Sequence, residues 1–143
     1  MADKYQCLKL DNQLCFPLYA VSKEIVRKYK PFLDEVDLTY TQYIVMMVVW
    51  EDEQVSVKEM GKKLFLDSGT LTPVLKTLEK KGLIERTRSK EDERNLIVTL
   101  TPSGKALKDK AVEIPAKMGG CLSISPEDAK ELHNILHRIM ETL

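Results

Sequence analysis

The chain has 143 residues, 43% hydrophobic and 31% charged, a composition suited to one domain built on one core. Lys plus Arg and Asp plus Glu both number 22, so total charge gives no support for a polyanionic partner, and any such surface has to come from local segregation of charge. The longest apolar run, Tyr43 to Trp50, falls far short of the roughly 20 residues of a bilayer-spanning helix; with no apolar run near the N-terminus, a cytoplasmic protein without membrane association is expected.

Leu14, Leu18, Val21 and Ile25 recur on one helical stripe, which predicts a first helix over 12–30. Thr39-Tyr-Thr-Gln42 has the form of a capping box and opens a helix over 39–50. Ser56-Val-Lys-Glu59 repeats that form ahead of a short helix over 56–64. Asp67 is an N-cap for a helix over 68–81, which stops at Gly82, a residue suited to the left-handed C-terminal turn. Residues 83–101, LIERTRSKEDERNLIVTLT, place alternating and β-branched residues around a charged turn at Lys90–Arg94, the pattern of a β-hairpin. Thr101-Pro102 and Ser125-Pro126 each set a cap before a proline at the first helical position, giving two C-terminal helices over 102–118 and 126–142.

This order describes one domain, 1–143, mainly α with a small β-hairpin wing: a winged helix-turn-helix. Its second short helix is expected to enter a DNA major groove while the hairpin tip reaches an adjacent groove. Ser68, Thr70 and Thr72 offer hydroxyls for phosphates and base edges. Gly69 allows close backbone approach, and Pro73, which has no N–H for the Gly69 carbonyl, is expected to bend or loosen the first turn. Leu71, Val74, Leu75 and Leu78 form the buried face, leaving Lys76 and Lys80 for the phosphate backbone. On the wing, Arg86 and Arg88 lie on the first strand, and Asp92 is expected to brace Arg94 by an ion pair. Residues 76–94 hold seven basic and five acidic side chains, so the bland alternative is a solvated helix and a charged turn with no ligand.

The segment LDSGTLTPVLKTLEKKGLIERTRSKEDERN resembles the recognition helix and wing of MarR-family transcription regulators. NQLCFPLY through LTYTQY is similar to the organic-hydroperoxide-sensing subgroup, with Cys15, Tyr29 and Tyr40 as its specific residues. The resemblance implies a homodimer, with dimerisation helices at 12–36 and 102–143 and a DNA-binding region at 37–101. It also implies a double-stranded operator as partner and no cofactor.

A lone Cys15 is more often a small buried hydrophobe than a nucleophile. Placed at a helix N-terminus, which Pro17 favours, it gains thiolate character. Tyr29 and Tyr40, from the partner subunit by resemblance, and Tyr19, one turn away, are candidate donors to that thiolate. An organic hydroperoxide would take Cys15 to a sulfenic acid and release the operator. Cys121, beside Gly119-Gly120, falls in the region of the subgroup's second cysteine, and the glycines are expected to lend mobility; Cys7 is given no role.

Three other readings stay open. His133 and His137, with Cys121 or Glu131, could bind zinc and make a metal sensor. A small phenolic or lipid ligand could release a repressor of this shape. Phosphate-loop, dinucleotide, nucleophile-elbow and zinc-protease motifs are missing, so an enzyme is not expected, a thiol peroxidase at Cys15 being its one conceivable form.

Overall fold

The computed structural model describes residues 3–143. Two single turns of 3-10 helix, Gln6–Leu8 and Leu10–Asn12, precede α1 (Cys15–Asp34) and α2 (Tyr40–Asp52). Then come β1 (Gln54–Ser56), α3 (Val57–Leu64), α4 (Ser68–Lys80), β2 (Ile84–Arg88) and β3 (Leu96–Leu100). The chain closes with α5 (Pro102–Ala111), α6 (Ile114–Gly119) and α7 (Pro126–Met140). The strands form one antiparallel sheet in the order β1-β3-β2, with Val98 opposite both Val55 and Arg86.

Local capping chemistry sets most of these boundaries. Thr39 and Gln42 complete both halves of their capping box, and Asp67, Thr101 and Ser125 each accept a backbone N–H three residues on. Ser56 does the same for Glu59, but the Glu59 carboxylate turns to Lys62 at 3.7 Å, so the second box is half formed. Gly82 takes φ 77, and the pair Gly82 N–H to Glu79 and Leu83 N–H to Leu78 (2.9 and 3.1 Å) closes α4 in a Schellman turn.

Three expectations need correction. The first helix begins at Cys15, not at 12, and runs through Pro31 to Asp34. Pro31 costs one backbone bond, but Phe32 and Leu33 beyond it pack on the core and hold the helical path. The hairpin gains a third strand, β1, on its far edge. The single helix expected over 102–118 breaks at 112–113, and Pro115 stands in the first turn of α6.

The core gathers around α2, which is apolar on every side: Val45, Met46 and Val49 are fully buried. Met60 of α3, Leu71, Leu75 and Leu78 of α4, Ile84 and Val98 of the sheet, and Leu33 and Ile114 close around it. The outer helices differ. α7 buries no residue, and its stripe Leu132, Ile135, Leu136 and Ile139 stays accessible. Leu14, Phe16, Leu18 and Val21 at the start of α1 are likewise uncovered, so one protomer leaves two helices with bare apolar faces.

Candidate functional site

α4 presents Ser68, Gly69, Thr70, Thr72, Pro73 and Lys76 to solvent while Leu71, Leu75 and Leu78 anchor it and Val74 is half-buried. The Thr70 N–H donates to Asp67 Oδ1 at 2.7 Å and holds that carboxyl below the usual range. Thr72 Oγ1 donates to the Ser68 carbonyl (2.7 Å) and Thr77 Oγ1 to the Pro73 carbonyl (3.0 Å). The Thr72 hydroxyl proton is thus committed to its own helix, and only its lone pairs face outward. The helix runs unbroken past Pro73, the threonine bonds supporting the carbonyls on either side of the missing donor.

A groove of about 620 Å³ opens between α3, the start of α4 and the wing, and Lys58, Lys62, Ser68, Thr72, Arg94 and Asn95 line it. Lys58, Lys62 and Asn95 were not foreseen. The signal was present for the lysines: they stand one turn apart on α3, on one face.

On the wing, Arg94 and Asp92 meet differently from the expected ion pair. Asp92 Oδ1 accepts the Arg94 backbone N–H at 3.0 Å and its carbonyl accepts the Asn95 N–H at 2.9 Å, so Asp92 shapes the turn. The Arg94 guanidinium is left with no ion pair among the described residues. Arg88 Nη1 donates to the Glu93 carbonyl (2.9 Å) across the tip. Arg86 is not free on the surface: its Nε and backbone N–H both reach Glu79 Oε2, at 2.8 and 3.1 Å, riveting β2 to α4. That contact holds the Glu79 carboxyl below its ordinary value, chiefly through the Arg86 side-chain hydrogen bond.

Cys15 is the first residue of α1, exposed, behind a Leu14 N-cap that offers no side-chain acceptor to the helix's free N–H groups. Tyr29 and Tyr40 stack obliquely with ring centroids 5.1 Å apart, and Tyr43, unforeseen, joins at 5.8 and 6.3 Å. Burial pushes all three phenols up, so each stays an O–H donor at neutral pH. At 1.5 Å per residue, Cys15 and Tyr29 stand about 21 Å apart along α1, beyond any contact within one protomer. Tyr19 is 62% exposed, with the Lys23 ammonium 5.9 Å from its ring, and makes no hydrogen bond to Cys15.

Cys121 is exposed just past α6, its N–H bonded to the Met118 carbonyl at 3.0 Å. Gly120 beside it has φ −72, open to any residue, so this turn does not require a glycine there. Cys7 is exposed, its thiol 3.6 Å from the Lys4 carbonyl. His133 and His137 stack at 3.9 Å, and His137 Nδ1 lies 2.9 Å from the His133 carbonyl. No three His, Cys, Asp or Glu side chains converge as a metal site among the described residues, and no helix there is long and apolar enough to cross a membrane.

Comparison with known proteins gives a consistent set. A family described as transcriptional regulator SarA/Rot matches residues 27–111. The chain is 50% identical over 143 residues to the organic hydroperoxide resistance transcriptional regulator of Bacillus subtilis (strain 168), covering all of this chain and 97% of that one. It is 49% identical over 131 residues to the HTH-type transcriptional regulator SarZ of Staphylococcus aureus (strain USA300), covering 92% of this chain and 88% of the relative. Reduced AbfR bound to DNA, a Staphylococcus epidermidis protein, superposes with TM-score 0.82 at 34% identity over 98% of this chain and 96% of that one. Its disulfide form superposes less well, at TM-score 0.67 with 36% identity and 96% of each chain covered.

Proposed function

The chain belongs to the MarR-type winged-helix transcriptional regulators, in their organic-hydroperoxide-sensing group, and on that premise we propose that it is a cytoplasmic, dimeric, redox-sensing repressor. In this reading α4 enters the major groove by its first turn, with Ser68, Gly69, Thr70, Thr72 and Pro73 toward the bases and phosphates. Lys58, Lys62 and Lys76 meet the backbone, while Arg88 and the unpaired Arg94 reach the neighbouring groove, Asp92 shaping the tip. Arg86 acts from behind, through Glu79. The bare faces of α1 and α7, within the dimerisation segments 12–36 and 102–143, close on a second copy.

Dimerisation is what completes the sensor. The observation that carries this reading is the location of Cys15: an exposed thiol at the open N-terminus of a helix whose apolar face lacks a cover, about 21 Å along that helix from Tyr29 of its own chain. The phenols of Tyr29 and Tyr40 of the partner subunit are then the main donors to its thiolate, with Tyr19 of its own chain, one turn away, at the margin. The thiolate attacks the hydroperoxide: an S–O bond forms, the O–O bond breaks, and the alkoxide leaves and takes a proton as the alcohol. The sulfenic acid that results has lost the anion the phenols held. Condensation with a Cys121 thiol then gives a disulfide and water. Either change shifts α1 against its partner and spoils the spacing of two recognition helices, which half-sites about 34 Å apart require. The better superposition on the DNA-bound forms of AbfR, reduced and overoxidised, than on its disulfide form accords with a protomer in the DNA-binding arrangement.

The test is a mobility shift on the chain's own upstream DNA, with and without cumene hydroperoxide, for wild type and Cys15→Ser. Wild type should leave the DNA on oxidation and Cys15→Ser should stay. Release of the serine variant by peroxide would refute the thiol reading.

A further inference from the structure

We infer that Lys81 is the positioning residue that conveys the state of the thiol site to the recognition helix. The inference rests on the reading that oxidation of Cys15 releases DNA. Lys81 is the C-cap of α4. Its ammonium donates to the Asp37 carbonyl and lies 3.3 Å from Asp37 Oδ2 and 3.5 Å from Gln42 Oε1. Gln42 is the one buried polar side chain among the described residues, at 9% exposure. Its Oε1 also accepts the Thr39 N–H at 3.0 Å, while Thr39 Oγ1 accepts the Gln42 N–H at 3.2 Å. One amide oxygen therefore serves both the cap of α2 and the end of α4.

The residue between those capping partners is what gives the contact meaning. Tyr40 follows Thr39 directly and is the first residue of α2, with its ring against Tyr29 of α1. Whatever its phenol gains or loses across the dimer acts first on the turn that Thr39 and Gln42 hold. The loop before it is tied down by backbone bonds: the Val36 and Leu38 N–H groups both donate to the Leu33 carbonyl at 3.1 Å and the Asp37 N–H to the Asp34 carbonyl at 3.2 Å, with Asp37 at φ 53, a left-handed conformation rare for a residue with a side chain. Displacement of this turn has little slack to absorb it and passes to the Lys81 ammonium.

α4 is a lever for that displacement. Its 13 residues span about 20 Å, with Lys81 at one end and the exposed hydroxyls of Ser68, Thr70 and Thr72 at the other. Leu71, Leu75 and Leu78 hold its middle in the core, so a shift imposed at the C-terminal end reappears at the N-terminal end. As a surface ion pair, the Lys81–Asp37 contact contributes little to stability. Its consequence is coupling, the difference in DNA affinity between reduced and oxidised protein.

The experiment measures that difference in Lys81→Met and Lys81→Arg. Methionine keeps an unbranched apolar stem but removes the donors, and Gln42 Oε1 still accepts from Thr39, so the cap of α2 survives; thermal melting checks it. If the apolar variant melts early, Lys81→Gln, too short to span the same contacts, takes its place. Operator affinity is read before and after one equivalent of cumene hydroperoxide, alongside the rate of Cys15 thiol loss. Lys81→Met should bind when reduced and lose its thiol at the wild-type rate. The factor by which oxidation lowers its affinity should shrink by about fivefold or more, the lower end of ordinary allosteric coupling. Arginine should restore that factor. An unchanged factor in Lys81→Met overturns the inference alone. Equal loss in both states with a salt slope shallower by about one makes Lys81 a phosphate contact and also overturns it. Failure of wild type to leave the DNA on oxidation overturns the sensor reading, and the inference with it.

Discussion

Gly104→Ala tests how the dimerisation segment is fixed to the wing. Gly104 is the third residue of α5, where Ala would ordinarily stabilise a helix by about 1 kcal/mol over Gly. A Cβ at this position would stand 2.2 Å from the Leu83 carbonyl oxygen and 2.8 Å from Leu100 Cδ1, inside the distance at which real contacts occur. The nearer obstacle is backbone, at the start of the wing, and cannot rotate away. α5 has to retreat by about 1 Å to restore van der Waals separation, an overpacking cost of about 1–3 kcal/mol. The retreat also draws the Gly104 carbonyl from the buried Trp50 Nε1–H, which donates to it at 2.8 Å; breaking that bond costs about 1–3 kcal/mol more. Set against the helical gain, the variant should be less stable by about 3 kcal/mol. Urea unfolding at matched protomer concentration measures it, since a dimer's stability depends on concentration. Gly119→Ala is the control: nothing lies within 4 Å of its Cβ position, and it should be neutral or stabilising. A Gly104→Ala protein as stable as wild type would refute the packing argument, because helix propensity alone carries the opposite sign.

Arg94→Ala should weaken operator binding by about 1–3 kcal/mol and flatten its salt dependence, measured by fluorescence anisotropy over a salt series; unchanged affinity removes the wing from the groove. Glu79→Gln should alter acid sensitivity. With the Glu79 carboxyl held below its ordinary value of 4.5 by Arg86, the contact's contribution is full above that value. It is lost as pH falls through the lower folded value. The stability gap between wild type and Glu79→Gln should therefore close on acidification, and urea midpoints that run parallel with pH would contradict it. After mild organic hydroperoxide, non-reducing electrophoresis should show a covalent dimer that Cys121→Ser lacks; a dimer that persists in that variant assigns the bridge to another thiol.

What could be read from the sequence was what depends on near neighbours. The caps at Thr39, Asp67, Thr101 and Ser125 and the left-handed turn at Gly82 each need only the next few residues, and all formed as expected. β1 was missed because its three residues make a strand only through Val98 and its neighbours, far along the chain. The reach of α1 past Pro31 depends on burial of Leu33, which no local rule contains. At the candidate site, the exposed hydroxyl face of α4 followed from its apolar spacing. The Arg86–Glu79 rivet did not, since it needs the wing folded back on α4. Tyr43 was legible in principle, one turn from Tyr40 on the same face, but it entered only as the start of the apolar run Tyr43 to Trp50.

The balanced charge of 22 basic and 22 acidic residues misleads because it ignores placement. Around the proposed DNA face several acids are engaged. Glu79 holds Arg86, Asp52 holds Lys63 at 2.6 Å, Glu59 holds Lys62 at 3.7 Å, and Asp67 and Asp92 cap backbone N–H groups. Lys58, Lys76, Lys80, Lys90, Arg88 and Arg94 make no ion pair among the described residues. Glu85, Glu91 and Glu93 of the wing are likewise unpaired among the described residues, and an ion pair removes one charge of each sign, so the local excess rests on where the basic residues are placed. Residues 57–94, which carry the groove, hold ten basic and seven acidic side chains, so a polyanion approaching it meets more positive charge than the total predicts. Neutralising unpaired cations such as Lys58 should cost more operator affinity than neutralising Arg86 to the same charge, provided Arg86 is replaced by a residue that still bonds Glu79.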